Sequence, residues 1–250
     1  MDLGLRGRVA LVTGASKGIG RAIASALVEE GARVAISSRS QENIDATASE
    51  IGASGFVWDS KDLGAVPDLV ANVEASLKAP VDVLVCNTGG PPAGPDPLAF
   101  GTAQWEAAHR SLVLAPMALV GAVLPPMRER GWGRVLNVAS SSVREPLPHL
   151  MLSNAERSAT VAAFKTLARE VSADGVTLNT VLPGRILTER LISMVGSEES
   201  ARAAAEQEVP ARRPGTVHEF AAVATFLCSE RASYVTGASV PVDGGLLRSI

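Results

Sequence analysis

The first residues in the chain that could do chemistry lie in a glycine-rich segment. It runs from Gly14 to Gly20 with the spacing G-x-x-x-G-x-G, directly after an apolar run and directly before an amphipathic helical pattern. Glycines allow a tight turn and close approach of a ligand, and the free N–H groups at a helix N-terminus attract anions. This order of elements predicts a dinucleotide site, the alternative being a purely structural turn. The residues of this site would be Gly14, Ser16, Lys17, Gly18, Ile19 and Gly20.

A second pair of polar residues follows the next apolar run. Ser38 and Arg39 stand where a site for NAD would place an acid against the ribose 2′-hydroxyl, and no acid is present there. An arginine at this position can pair with the additional 2′-phosphate of NADP, and Lys17 could supply a second positive charge. We therefore expect NADP(H) rather than NAD as the cofactor. The alternative is that both cations are ordinary solvated side chains.

Short apolar runs alternate with longer segments of helical period, and this rhythm predicts the elements that position these residues. The runs are apolar on both faces, which is typical of parallel strands covered by helices on both sides. We therefore predict an α/β fold, a Rossmann-type doubly wound parallel sheet of about seven strands, in a single domain over residues 1–250. The expected strands are Val9–Thr13, Val34–Ser37, Phe56–Trp58, Val81–Cys86, Arg134–Ser140, Val176–Gly184 and Ala238–Gly245.

Two segments interrupt this rhythm. They are the proline-rich loop Gly89–Pro97 and the stretch Leu187–Glu208, and each follows an expected strand. Open α/β sheets bind ligands at the carboxyl ends of their strands, so both segments could contact the ligand. The second is predicted to form a substrate lid over residues 187–208 with an apolar lining. The alternatives are a surface loop and an additional helix.

The charge and cysteine content exclude several classes of protein. Lys and Arg total 23 against 26 Asp and Glu, which gives a net charge of -3, and no block of like charges could follow a phosphate backbone. Nucleic acid is therefore not expected as a partner. Cys86 and Cys228 cannot form a disulfide framework or a zinc cluster, so we expect no metal site and a reducing, cytoplasmic compartment.

No segment is predicted to cross a membrane. The longest uncharged stretch, Ser111–Met127, has 17 residues including three prolines, and a bilayer span needs about 20 apolar residues. A buried helix explains this stretch better, and the N-terminus shows no export signal. A membrane is therefore not expected as a partner.

Together these features resemble the short-chain dehydrogenase/reductase family, and within it the 3-oxoacyl-acyl-carrier-protein reductase branch, over almost the whole chain. Thr13–Gly20 is similar to the family's TGxxxGxG motif, Asn87–Gly90 stands in place of its usual Asn-Asn-Ala-Gly, and Tyr234–Gly245 resembles its C-terminal signature. The resemblance implies NADP-dependent chemistry on a carbonyl or an alcohol. It also implies contacts to the cofactor from Asp59, at the adenine, and from Asn87, Gly89, Pro183, Gly184, Ile186 and Thr188.

The catalytic positions of this family are located by counting from the fifth strand, and most of them are substituted. The family uses a tyrosine as proton donor, a lysine four residues later, a serine and an asparagine. Ser140 or Ser141 suits the serine role, and 13 residues after Ser140 the tyrosine position holds Ser153. The lysine position holds Arg157, and the asparagine position falls on Leu112.

These replacements change what the site can do. An alkyl hydroxyl is a much weaker acid than a phenol, and Ser153 is shorter than tyrosine by about the length of a ring. Arg157 can hold the ribose of a cofactor, but it does not give up a proton. The proton could come from His149 in the neighbouring loop, from water or from Ser153 itself. Arg144 in that loop could bind an anionic substrate or face solvent.

Two hypotheses of different classes follow. In the first, the protein is an NADP-dependent oxidoreductase of a small-molecule carbonyl or alcohol, working through a non-standard site of Ser140 or Ser141, Ser153 and Arg157. In the second, it binds the dinucleotide but catalyses little, as a sensor or as a partner subunit of an active relative. The loss of the proton-transfer groups favours the second hypothesis. An enzyme can take its proton from water, however, and we prefer the first.

We also predict a homo-oligomer, a tetramer or a dimer. The expected helices Thr102–Met127 and Ser153–Val171 carry more apolar residues than one face of a sheet should cover. The family resemblance implies that these helices pair with their copies across a two-fold axis.

Overall fold

The computed structural model describes residues 1–249, and its centre is one sheet of parallel strands. The strands are β1 Val9–Thr13, β2 Arg33–Ser38, β3 Ser54–Val57, β4 Val83–Cys86, β5 Gly133–Val138, β6 Val176–Pro183 and β7 Ser239–Val242. Their order across the sheet is β3-β2-β1-β4-β5-β6-β7, so the direction of winding reverses between β1 and β4. This confirms the predicted doubly wound sheet of seven strands. Such sheets bind ligands at the reversal point.

Helices connect the strands and cover both faces of the sheet. They are α1 Gly18–Glu29, α2 Gln41–Ile51, α3 Val66–Leu77, α4 Thr102–His109, α5 Ala115–Glu129, α6 Met151–Val171, α7 Glu189–Val195, α8 Glu198–Glu208 and α9 Val217–Leu227. Short 3₁₀ turns lie at Ser141–Val143, Pro148–Leu150, Ser172–Asp174 and Glu230–Ala232.

Strand β1 shows why its sequence is apolar at four successive positions, from Val9 to Val12. Ala10 and Val12 belong to the core cluster under α1, α2 and α9, whereas Val9 and Leu11 belong to the cluster under α3, α5 and α6. All four residues are fully buried. Because successive side chains of a strand point to opposite faces, a sheet covered on both sides needs apolar residues throughout.

The predicted helix over residues 102–127 is interrupted by a wider turn. α4 and α5 are joined by one π-helical turn at Arg110–Leu114. Pro116 explains it, because it has no N–H to donate to the carbonyl of Leu112 four residues earlier. The hydroxyl of Thr160, on α6, donates to that carbonyl instead at 2.6 Å. α6 thus satisfies the polar group that the proline leaves open.

The same helical run is the one segment among the described residues with the length and apolar composition of a membrane span. It covers Thr102–Glu129, and 44% of its most apolar window is buried inside the protein. Leu119, Val120 and Val123 of this run pack in the core under the sheet. These contacts agree with the prediction of a buried helix.

Replacing Thr160 by valine tests the contact that holds the π-turn. Thr160→Val keeps the shape of the side chain and leaves the carbonyl of Leu112 without its donor, so we expect the free energy of unfolding to fall by about 1 to 3 kcal/mol. Denaturant unfolding followed by circular dichroism measures this change. Thr166→Val is the matched control, because the exposed Thr166 bonds only within α6, to Ala162. Similar losses in both variants would contradict a special role for Thr160.

The structure also shifts several predicted boundaries. β3 ends before Trp58, and β5 ends at Val138, so Ser140 lies beyond the strand. α6 begins at Met151, which places Ser153 in its first turn. The segment 187–208 contains the two helices α7 and α8.

Candidate active site

One large cleft opens at the carboxyl ends of β1, β2, β4, β5 and β6 and is bordered by α7. Its volume is about 1250 Å³, larger than the roughly 300 to 1,000 Å³ of a typical small-molecule site. All predicted site residues except Gly20 and Asp59 lie on its wall. These are Gly14, Ser16, Lys17, Gly18, Ile19, Ser38, Arg39, Asn87, Gly89, Ser140, Ser141, Ser153, Arg157, Pro183, Gly184, Ile186 and Thr188.

The glycine loop is held tightly by Asn87 at the end of β4. Gly14 and Gly18 have φ values of 58° and 59°, in the left-handed region that glycine adopts without strain. The Asn87 amide donates to the carbonyl of Gly14 at 2.9 Å. A Cβ on Gly20 would lie 2.5 Å from that carbonyl oxygen, so this position has no room for a side chain. Gly20 therefore shapes the loop from behind the cleft wall.

The start of α1 leaves backbone donors free beside the cleft. Lys17 is the N-cap residue and makes no side-chain capping bond. The N–H groups of Gly18 and Ile19 have no protein acceptor among residues 1–249. Free amides at a helix N-terminus are the donors that a pyrophosphate needs, so the residues present fit a dinucleotide.

Three residues were predicted to contact the adenosine half of the cofactor, and the structure gives each of them a different environment. Arg39 lines the cleft and has no acidic partner among the described residues. Lys17, predicted as a second positive charge for the 2′-phosphate, instead pairs with Glu189 of α7 at 2.6 Å. Asp59 lies just off the cleft wall, and its carboxylate accepts from the backbone N–H of Lys61 at 2.9 Å.

Ser153 and Arg157 face each other one turn apart on α6. The Arg157 Nε donates to the Ser153 Oγ at 3.2 Å, and Nη1 donates to the carbonyl of Val138 at 2.7 Å. Burial lowers the pKa of Arg157 to about 10, and the positive charge of Arg190 contributes to this shift. The guanidinium still keeps its proton at neutral pH, because a pKa of about 10 lies well above 7.

The two candidate serines after β5 are both in the cleft but differ in their bonds. The Ser140 Oγ accepts from the backbone N–H of Ser142 at 3.1 Å and caps a 3₁₀ turn. Ser141 makes no side-chain hydrogen bond within the described residues. Either hydroxyl can still donate its proton to a ligand oxygen.

Three residues considered for catalysis lie away from the cleft. Leu112 is buried in the π-turn, and His149 lies in a 3₁₀ turn whose neighbours Leu147 and Leu150 line the cleft while His149 does not. Arg144 points to the edge of the sheet, where it donates to the carbonyl of Ser239 at 3.0 Å. The structure therefore does not support His149 as proton donor or Arg144 as substrate ligand.

The sequence did not single out several residues that the structure brings to the cleft. Arg190 of α7 reaches the carbonyl of Gly90, and the C-terminal residues Leu246 and Leu247 line the opening. Glu145 holds the C-terminal segment by accepting from the backbone N–H groups of residues 248 and 249. The available signals were weak, since an arginine inside a predicted lid and two leucines near a chain end have no distinctive pattern.

Comparison with known proteins identifies relatives over almost the whole chain. A family model described as enoyl-(acyl carrier protein) reductase matches residues 14–247. Dehydrogenase/reductase SDR family member 4 from Sus scrofa is 34% identical over 246 residues, which is 96% of this chain and 88% of that protein.

Solved structures also match this chain over almost its whole length. L-sorbose reductase from Gluconobacter frateurii, in complex with NADPH and L-sorbose, superposes with a TM-score of 0.91 at 30% identity and full coverage of both chains. A 3-oxoacyl-(acyl-carrier-protein) reductase from Agrobacterium tumefaciens C58 with NADP bound has a TM-score of 0.91 at 30% identity, over 98% of this chain and 96% of that one.

The reversal point of the sheet, the glycine loop and the free amides of α1 define a dinucleotide-binding protein of the α/β class. The extent and identity of the matches specify this class further. The chain belongs to the short-chain dehydrogenase/reductase family, a family of oxidoreductases.

Proposed function

We propose that the protein is a single-domain, cytoplasmic, NADP(H)-dependent oxidoreductase that interconverts a small carbonyl compound and its alcohol, with 3-oxoacyl reductases as its nearest functional model. The observation that carries this proposal is a single cleft with free backbone N–H groups at the start of α1 and a cluster of hydroxyl and guanidinium groups on the same wall. The cluster consists of Ser140, Ser141, Ser153 and Arg157.

The cofactor would be held along the whole cleft. The free amides of the glycine loop would bind its pyrophosphate, and Arg39 would pair with the 2′-phosphate that distinguishes NADP from NAD. Arg157 would donate to a ribose hydroxyl at the nicotinamide end. The remaining contacts there would come from Asn87, Gly89, Pro183, Gly184, Ile186 and Thr188.

When bound, NADPH would supply the hydride that reduces the carbonyl carbon and would remain as NADP⁺, so that negative charge would develop on the carbonyl oxygen. Ser140 or Ser141 donates a hydrogen bond to that oxygen, and the Arg157 guanidinium stabilises its negative charge. Because Arg157 keeps its proton, the oxygen takes its proton from water in the open cleft.

The alternative function is binding of the dinucleotide with little catalysis, as a sensor or a partner subunit. The observation that favours it is that the Ser153 hydroxyl is short and already bonded to Arg157. Titration with NADPH followed by NADPH oxidation with a panel of ketones separates the two functions. Tight binding without turnover above background would contradict the enzyme and support the sensor.

The preference for NADP(H) depends on Arg39. Arg39→Ala is expected to weaken NADPH binding by about 10- to 100-fold, since it removes a charge-assisted hydrogen bond to the 2′-phosphate. Affinity for NADH serves as the internal control and should stay within about threefold. Fluorescence titration measures both affinities, and an equal loss for NADH and NADPH would show that Arg39 does not read the 2′-phosphate.

We also propose a homo-oligomer, a tetramer or a dimer, built on α5 and α6. Part of the apolar surface expected there is covered within the chain, because Leu112, Leu119 and Val120 are buried. Leu114 and the α6 residues Ala155, Ala159 and Ala162 stay exposed. Sedimentation should show a dimer or tetramer, and a stable monomer at micromolar concentration would contradict this.

A further inference from the structure

The charged side chains that line the cleft carry an excess of positive charge, with six Lys or Arg against three Glu. Among residues 1–249, Arg39 at the adenosine end, Arg157 and Arg190 at the reaction end and Arg248 in the C-terminal segment form no salt bridge with an acidic side chain. The acids of the cleft are already engaged. They are Glu189 with Lys17, Glu208 with Arg185, and Glu145 with the backbone N–H groups of Arg248 and Ser249.

Arg190 reaches across the cleft with donors to spare. Its Nη1 donates to the carbonyl of Gly90 at 3.2 Å, and its Nη2 lies 3.5 Å from the carbonyl of Pro91, at the limit of a hydrogen bond. Both acceptors are neutral, and the Nε has no acceptor among the described residues. A guanidinium presents its N–H groups as a fork that matches a carboxylate.

Arg157 adds a second positive charge to the same space. Its Nε and Nη1 are bonded to Ser153 and Val138, and its Nη2 has no acceptor among residues 1–249. Arg157 and Arg190 line the same cleft, and after burial the positive charge of Arg190 is the second cause that lowers the pKa of Arg157. An anion between or beside them would relieve this repulsion.

The rest of this end of the cleft is apolar. Leu191 and Met194 come from α7, Leu147 and Leu150 from the loop before α6, and Leu246 and Leu247 from the C-terminal segment that Glu145 holds. The cleft volume of about 1250 Å³ leaves room for a substrate beside a dinucleotide.

We propose that the substrate is a keto acid, or the corresponding hydroxy acid, whose carboxylate binds Arg190 beside Arg157 and whose apolar body lies against the leucines and Met194. This inference rests on the proposed oxidoreductase function and specifies the substrate class of the same site. The carboxylate fixes the orientation of the substrate, and the apolar wall favours substrates whose remaining atoms are apolar.

Two probes with the same apolar body test the proposal. Phenylpyruvate is a keto acid, and phenylacetone is the matching neutral ketone. Calorimetric titration into the NADP⁺-saturated protein measures their affinities without relying on turnover. The acid should bind at least about 10-fold more tightly, and Arg190→Met should weaken its binding by about 10- to 100-fold, the range of a hydrogen bond between charged groups. Binding of phenylacetone and NADPH should change by less than about threefold.

Arg185→Met is the matched control, because Arg185 lines the same cleft but is already paired with Glu208. It should leave the ratio of acid to ketone affinity unchanged. Equal binding of the two probes, or no binding of the acid at millimolar concentration, would overturn the proposal. A parallel loss of NADPH affinity in Arg190→Met would overturn it too, by assigning Arg190 to a cofactor phosphate. Failure of the wild-type protein to bind NADPH would instead overturn the proposed function, and titration of the acid into the free protein would still test Arg190.

Discussion

Ser153→Tyr combined with Arg157→Lys is expected to raise NADPH-dependent reduction of a generic ketone by about 10²- to 10⁴-fold, the contribution typical of a positioned general acid. The phenol of tyrosine has a reference pKa near 10, and a lysine ammonium one helical turn away favours its ionised form. Both positions line the cleft, and their side chains already touch. The comparison to make is kcat/KM of the double variant against that of the wild type.

The control for this gain is a ring placed elsewhere on the same helix. Ser158→Tyr adds the phenol at an exposed position of α6, outside the cleft, and should not raise the rate. Ser153 is buried, so overpacking by the new ring could cost about 1 to 3 kcal/mol, and the melting temperature must be measured for each variant. A folded double variant that binds NADPH and shows no gain would place residues 153 and 157 away from the reacting carbonyl.

The sheet could be predicted from the sequence because its signals are local. A strand such as β1 is apolar at four successive positions, from Val9 to Val12, and this pattern requires helices on both faces. The π-turn could not be predicted in the same way. Pro116 marks a break in the helical hydrogen bonds, but the group that completes them is Thr160, which the fold brings from another helix.

In the candidate site, too, positions that follow from local sequence could be predicted, whereas contacts between distant residues could not. Most residues of the glycine loop and most of those predicted directly after strands lie on the cleft wall, since parallel strands end at one edge of the sheet. The partner of Lys17 is Glu189, 172 residues further along the chain, and no local pattern indicates it. The direction of a loop side chain is equally hidden, which is why His149 and Arg144 were considered for a cleft that they do not line.

Arg134 and Arg157 both carry a positive charge out of solvent, and we expect them to affect stability differently. Arg134 on β5 is 3% exposed, donates to the carbonyls of Gly133, Gly175 and Ser229, and stacks on Trp132. Arg157 has only two acceptors and faces a second cation, Arg190. Both guanidinium groups lack a salt bridge, and burial lowers the pKa of both, so the difference lies in their surroundings. Three carbonyls and the Trp132 ring compensate the desolvation of Arg134 better than two acceptors compensate that of Arg157.

Arg157→Met should therefore lose function without losing stability. We expect NADPH affinity to fall by about 10- to 150-fold, which corresponds to the roughly 1.5 to 3 kcal/mol of a hydrogen bond to a charged group. The free energy of unfolding of the free protein should rise by about 1 kcal/mol, because the thioether fills similar space without a desolvated charge. We expect stability to rise because burial lowers the pKa of Arg157 to about 10. A lowered pKa means that burial disfavours the charged guanidinium, which the folded protein nevertheless holds at neutral pH. The unfolded chain does not bear this cost, so removing the charge stabilises the folded state. Arg134→Met is the matched control and should lose about 2 to 4 kcal/mol, since it removes the donor from the buried carbonyls of Gly133 and Ser229 and from the carbonyl of Gly175. If Arg157→Met destabilises the protein as much as Arg134→Met does, or leaves NADPH affinity unchanged, Arg157 is a structural residue and the proposed site is wrong.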